Sequence, residues 1–293
     1  MNYNPIFSKK QIRINDNNKV TSPKIQMKIP LPYSQLVKNY QNTELCNDQY
    51  HEKLTDLTRA DELLSSHRSH IEKNKLGFGD AAFHAMWEAI VVEAGARFSN
   101  PKALEIGVYK GQVISLWALL AKRHSIPLEI SAITPLRGNP KPKSSLLRRI
   151  RYYFEPKFRE LAKSGNFYDE ADYHAIISKL FSDFGCDFSR VSVSNGFSTD
   201  ADVLKEHADK AYDIVYIDGD HTYDGALADF RNFAPKVSVG GWLIADDAGF
   251  DLPGSTFWKG YESVARAVNE VILKAGFLNV FNIGHNRVFE RTE

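Results

Sequence analysis

Three short stretches concentrate the residues that could do chemistry. The first is YDIVYIDGDHTYDGALADF, Tyr212 to Phe230, in which an apolar run ends in Asp218 and is followed by Gly219, Asp220 and His221. Ionisable groups packed this densely at the C-terminal end of a strand stand on the edge where open α/β sheets bind ligands. Helix capping is the competing reading, since Asp220 or Thr222 can cap the helix that follows. The second stretch is VSVGGWLIADDAG, Val237 to Gly249. Gly240 and Gly241 turn the chain into a strand that ends in Asp246 and Asp247. Adjacent carboxylates repel each other unless a cation or hydrogen bonds compensate. With Asp218 on the neighbouring strand, they offer oxygen ligands to one hard divalent ion. If Asp247 only caps the next segment, no ion is needed. The third stretch is ALEIGVYKGQ, Ala103 to Gln112. Here Gly107 lets a ligand approach the backbone and Gly111 lets the chain turn into a helix. Glu105 at the strand end suits a cationic or hydroxyl-bearing ligand and would repel a pyrophosphate. The spacing is not that of the three-glycine dinucleotide fingerprint.

These residues need strands to present them. Apolar runs mark five: Lys102 to Val108, Leu128 to Ile133, Val191 to Ser194, Ile214 to Ile217 and Trp242 to Ala245. Helical periodicity lies between them at Gln112 to Arg123, Asp200 to Ala211 and Tyr223 to Phe233, and before them at Gly77 to Asn100, with Asp80 as N-cap. Alternating strands and helices imply right-handed βαβ units, hence a Rossmann-like, doubly wound, mostly parallel α/β sheet. Residues 1–75 read as a flexible arm, over about the first thirty, and a small helical cap or dimerisation piece around Tyr50 to Ile71. Residues 76–293 form the main domain. About fifty residues, 136–187, separate the second and third strands, where a plain crossover needs far fewer. They read as an inserted helical lid; the rival is a solvated amphipathic pair covering a sheet edge. The stretch LLRRIRYYFEPKFREL collects Arg148, Arg149, Arg151, Lys157 and Arg159 with Tyr152, Tyr153 and Phe154. Arginines there would pair with a phosphate on a substrate, in bidentate fashion.

Bulk properties exclude several classes. The chain has 293 residues, 43% hydrophobic, and a formal net charge of +1. That balance argues against a dedicated nucleic-acid binder. Cys46 and Cys186 stand far apart in no metal-like spacing, so a reducing cytoplasm is the expected compartment. The N-terminus has no apolar core of a signal peptide, and no apolar run reaches the ~18 residues of a membrane span. A soluble protein without membrane contact is expected, as is assembly into a homodimer or higher homo-oligomer.

Taken in order, ALEIGVYKGQ, YDIVYIDGDHTYDGALADF and VGGWLIADD resemble the class I S-adenosylmethionine-dependent methyltransferases. More narrowly they are similar to the macrocin-type and aminocoumarin sugar O-methyltransferases. The resemblance spans about residues 77–293. It implies that Glu105, Gly107, Tyr109 and Gly111 cradle the methionine end of S-adenosylmethionine, with Asp218 at the same edge. It implies that the adenine lies near Ser194 to Ser198, which puts Asn195, Gly196 and Ser198 on the cofactor. It implies that Asp218, Asp246 and Asp247 hold magnesium and that the general base is Asp220 or His221. One departure stands out. The second strand ends in Thr134, where relatives carry an acid for the ribose hydroxyls, and a hydroxyl only weakly replaces a carboxylate.

The expected reaction is methylation of a hydroxyl on a small molecule of sugar or natural-product type, with phosphorylated or nucleotide-linked acceptors favoured by the basic insert. A divalent cation would lower the hydroxyl's pKa. His221, with an ordinary pKa near ~6.5, suits the base better than Asp220. Three rivals remain: a metal-independent methyltransferase using His221, a dinucleotide-dependent oxidoreductase, and a non-catalytic cofactor-binding module.

Overall fold

Alternation along the central strands sets the layers. In the strand Tyr212–Ile217 (β4), Ile214 and Tyr216 join one apolar core, while Val215 and Ile217 join the other. The strand Val237–Ala245 (β5) does the same, with Trp242 and Ile244 on the first side and Leu243 and Ala245 on the second. A sheet apolar on both faces must be covered by helices on both. The computed structural model, which describes residues 30–137, 144–163 and 170–293, shows this arrangement. The other strands are Lys102–Ile106 (β1), Glu129–Thr134 (β2), Ser192–Asn195 (β3), Phe277–Ile283 (β6) and Asn286–Arg291 (β7). Their order is β3-β2-β1-β4-β5-β7-β6. β1 to β5 pair in parallel, β7 runs antiparallel to β5, and β6 antiparallel to β7. The order reverses between β1 and β4, so the carboxyl ends of those strands open the binding crevice. The expected doubly wound α/β fold is present.

Helices Tyr33–Asn39 (α1), Glu44–Ala60 (α2), Glu62–Asn74 (α3), Ala82–Arg97 (α4) and Gln112–His124 (α5) contribute to the first core. Trp242 Nε1 donates to Tyr33 Oη at 2.7 Å, and Tyr33 donates to Glu290 Oε2, also at 2.7 Å, which ties α1 to the sheet. The helical stretch around Tyr50 to Ile71 is divided at Asp61. Its carboxylate accepts from Leu63 and Leu64 N–H to start α3, and it takes Arg123 of α5 in a fork at 2.8 and 2.7 Å. One acid thus ends one helix, caps the next and anchors both. Residues 33–74 therefore belong to the same core as the sheet. The proposed arm, residues 1–29, lies outside the described residues.

Helices Ala201–Glu206 (α9), Tyr223–Phe233 (α10) and Glu262–Val271 (α11) accompany the second face. The insert has two parts. Tyr173–Asp183 (α8) belongs to the first core through Ile177 and Phe181. Ser145–Phe154 (α6) and Pro156–Lys163 (α7) form a hairpin outside it. In α6, Leu146, Leu147, Ile150, Tyr153 and Phe154 are exposed. Residues 138–143 and 164–169 and the side chain of Lys157 lie outside the described residues. Among the described residues, no helix is long and apolar enough to cross a membrane.

A candidate methyl-transfer site at the sheet edge

β1 and β4 meet tightly at their carboxyl ends. Gly107 has φ +94°, and a Cβ built there would stand 1.7 Å from the Asp218 carbonyl oxygen. Only glycine allows this approach, and it brings the Glu105 turn and Asp218 to one place. Gly111, at φ +88°, starts α5 and lies against Ile177 of α8. Glu105 is buried and accepts the Ile114 N–H at 3.1 Å. Burial pushes its carboxyl well above the usual range.

Beyond β5, Asp247 takes a left-handed φ of +55°. Strain of this kind at a sheet edge is characteristic of functional sites. Asp247 lies between two imidazoles. His221 Nε2 is 3.1 Å from its Oδ2, and His285 Nε2 is 3.5 Å from its Oδ1. His221 Nε2 is also 3.7 Å from Asp218 Oδ1, and His285 Nε2 3.3 Å from Asp246 Oδ1. Tyr261 stacks on His221 at 4.7 Å between centroids. Phe83 and Trp258 flank His285 at 4.8 and 5.0 Å. The loop carrying Trp258 and Tyr261 is braced from α2: Asn47 donates to the Pro253 carbonyl, and Asp48 accepts from Ser255 and Thr256.

So many acids in one buried place disturb one another. Burial first, then Asp246 and Asp247, push Asp218 well above the ordinary carboxyl range. Burial and Asp246 push Asp247 up to about 8. Burial alone would also raise Asp246, but the His285 charge holds it below its usual value. Burial opposes charge on His285, and Asp246 more than offsets that, so its pKa is raised. His285 faces the buried Asp246 Oδ1 as an ion pair at 3.3 Å. A divalent cation fits this donor set. Two overlapping groups, Asp218–His221–Asp247 and Asp246–Asp247–His285, each bring three ligand atoms within 4.8 Å of one another.

Two cavities meet here. The smaller, about 200 Å³, is lined by Gly107, Tyr109, Thr134, Gly196, Ser198, Asp218 and Asp220, among others. The second, about 340 Å³, is lined by Glu105, His221, Asp246, Asp247, His285 and the rings of Phe78, Phe83, Trp87, Trp258 and Tyr261. Gly107, Val108, Tyr109 and Asp218 line both. A larger groove of about 970 Å³, lined by Lys122, Glu129, Cys186 and Arg190, lies at the far side of β2 and holds none of these residues. It lies at the amino ends of β2 and β3, opposite the carboxyl edge where open α/β sheets bind ligands.

The sequence-derived residues fall as follows. His221 lies against the carboxylates. Asp220 lines the smaller cavity and accepts the Thr222 N–H, while Thr222 is the N-cap of α10, so the capping role falls to Thr222. Thr134 is buried and its hydroxyl accepts the Leu136 N–H, so it is already committed locally. Asn195 ends β3 exposed and lines neither cavity. Arg148, Arg149, Arg151 and Arg159 line neither cavity; Arg151 pairs with Glu155, and Arg159 donates to the carbonyls of Tyr152 and Tyr153.

Sequence reasoning missed two residues. His285 comes from the β6–β7 turn, where Gly284 has φ +55° in the first central position of a two-residue loop. The signal was present: two apolar runs separated by Gly-His read as a hairpin. The other is Asp229 of α10, buried beside the smaller cavity and bonded by Ser198 Oγ. Burial raises its pKa to about 7. A carboxyl that binds protons more tightly folded than unfolded loses its advantage as pH climbs between the two values. The contribution of Asp229 to stability is therefore lost between about pH 4 and pH 7, by at most about 4 kcal/mol. Asp229→Asn removes the titration. The difference in melting temperature, variant minus wild type, should rise from pH 5 to pH 8, and a pH-independent difference would refute the assignment.

Comparison with known proteins agrees with this geometry. Residues 104–248 match the family model described as a methyltransferase domain. Compared by sequence, none of the curated proteins matches the chain. Among solved structures, the calicheamicin methyltransferase CalS11 is similar at TM-score 0.50 and 16% identity, covering 83% of this chain and 91% of its own. A protein from Corynebacterium glutamicum is similar at TM-score 0.50 and 14% identity, covering 80% and 92%. At these identities the likeness shows the fold alone. The family match and the strand order together show that residues 104–248 of this chain are a methyltransferase domain on the doubly wound, Rossmann-like fold.

Proposed function

We propose that the chain methylates a hydroxyl oxygen of a small molecule with the help of a divalent cation. The observation that carries this reading is the seam. Asp218 lines both cavities, and the cluster of Asp246, Asp247 and His221 lines only the second. The smaller cavity then takes the cofactor, through Gly107, Tyr109, Gly196 and Ser198, and the aromatic one takes the acceptor. Its volume falls in the range of small-molecule sites. Among the described residues no Arg or Lys lines it. The expectation of a phosphate gripped by the insert finds no support in that lining, and an uncharged, ring-bearing acceptor suits it better.

The cofactor supplies an electrophilic sulfonium methyl. Asp218, Asp246 and Asp247 would hold a divalent ion, whose charge would lower the pKa of a nearby hydroxyl. The chain does the rest. Phe78, Phe83 and Trp258 exclude water around the acceptor ring. Tyr261 stacks on the His221 ring and holds its Nε2 at the carboxylate edge. With the Asp247 carboxylate drawn onto the cation, His221 Nε2 would take the hydroxyl proton as the new O–CH3 bond forms and the S–CH3 bond breaks. Asp220, turned towards the other cavity, is less suited to that proton. A metal-independent version would rest on the same Tyr261 stack, with the acceptor hydroxyl displacing Asp247 at His221 Nε2.

Purified protein given ¹³C-methyl-labelled S-adenosylmethionine and a pool of hydroxylated small molecules should yield a methoxy carbon signal. Label found only on nitrogen or carbon would overturn O-methylation.

A further inference from the structure

The cation site just proposed has a nitrogen donor that a purely carboxylate reading omits. His285 Nε2 stands 3.3 Å from Asp246 Oδ1 and 3.5 Å from Asp247 Oδ1. These three ligand atoms, one from each residue, lie within 4.8 Å of one another. The ring has little freedom to leave. Phe83 and Trp258 pack on it, the His285 carbonyl accepts the Ala248 N–H at 3.0 Å, and Gly284 fixes the turn. Asp246 Oδ1 is buried and faces this nitrogen as an ion pair. A divalent ion would replace the proton that the imidazole and the carboxylates share in the cation-free protein. An imidazole held beside Asp246 at near-contact distance, on a separate hairpin, is the geometry of a second ligand.

We infer that His285 is a ligand of the cation, so that the centre is a mixed carboxylate–imidazole site selective for an imidazole-binding first-row ion over magnesium. Magnesium demands near-octahedral oxygen coordination and dehydrates reluctantly. Imidazole suits iron, cobalt, nickel, copper and zinc, with affinity rising from iron to copper and falling again at zinc. The inference rests on the metal-assisted reading above.

The test uses chelator-stripped full-length protein and Co²⁺ as probe, followed by visible absorption, with Mg²⁺ as competitor. Wild type should bind Co²⁺ at least about tenfold more tightly than Mg²⁺. His285→Ala should lower Co²⁺ affinity by about 10–100-fold and shift the absorption bands, while Mg²⁺ affinity changes little. His285→Asp should restore an oxygen donor and move preference back towards Mg²⁺. Melting temperatures of both variants report whether the fold is kept, and His285→Gln serves if either fails to fold. Unchanged Co²⁺ affinity and spectrum in folded His285 variants would overturn this inference and leave the carboxylate site standing. Failure of wild type to bind either ion would overturn the metal-assisted reading as well.

Discussion

Asp247→Asn should lower kcat by about 10²–10³-fold while making the cation-free protein more stable. Asp247 is the residue both histidines share, one on each carboxylate oxygen. Losing its charge weakens the cation site. Yet a carboxyl there is a burden to the cation-free fold. Asp218, Asp246 and Asp247 crowd one buried place, and burial first, then their mutual repulsion, raises Asp218 and Asp247 above the ordinary carboxyl range. An amide at 247 removes the cost of holding that acid in the buried cluster, roughly 1–3 kcal/mol. Activity and thermal unfolding measured on one preparation give the two numbers. A variant that is inactive and less stable would mean that Asp247 serves packing, and the site reading would lose its centre.

Gly107→Ala should cost on the order of 3 kcal/mol or more of stability and abolish cofactor binding. The new methyl would lie 1.7 Å from the Asp218 carbonyl oxygen, which is backbone and cannot swing away. The only relief is to separate β1 from β4, and that opens the seam. Gly240→Ala is the control. It has φ +77° but nothing within 4 Å of a built Cβ, so it should cost only the left-handed backbone penalty of about 1 kcal/mol. Denaturant midpoints for the two variants should differ clearly. Similar midpoints would show that the strand-end approach is not what demands glycine at 107.

Much of this was legible in the sequence because strand ends declare themselves. Gly107, Asp218, Asp246 and Asp247 each follow a short apolar run, and parallel strands bring such ends to one edge. β1 is shorter than its apolar run, since Gly107 and Val108 already belong to the turn. The split at Asp61 was hidden because apolar spacing continues through it, and only the cap and the Arg123 fork break the helix. His285 was hidden for a different reason. It reaches the site through an antiparallel hairpin added after the regular βα alternation ends, so strand-to-helix rhythm gives no hint of it. Asp229 was hidden because a helix residue seven positions past the cap reads as a solvated face until its burial is known. The charge of the basic insert was visible in the sequence, but which surface it serves was not: Arg148, Arg149 and Arg151 are exposed, and neither they nor Arg159 are among the residues lining either cavity.

The most direct test of the account is the initial rate of S-adenosylhomocysteine formation by protein stripped with chelator, before and after a divalent ion is restored. With a methylatable acceptor and saturating S-adenosylmethionine, the stripped protein should fall to background and the restored protein should recover. Asp246→Ala should stay at background in both conditions while still binding S-adenosylmethionine. Stripped protein that turns over as fast as untreated protein would contradict the account and leave the acids of β4 and β5 as structural residues around a metal-free His221 base.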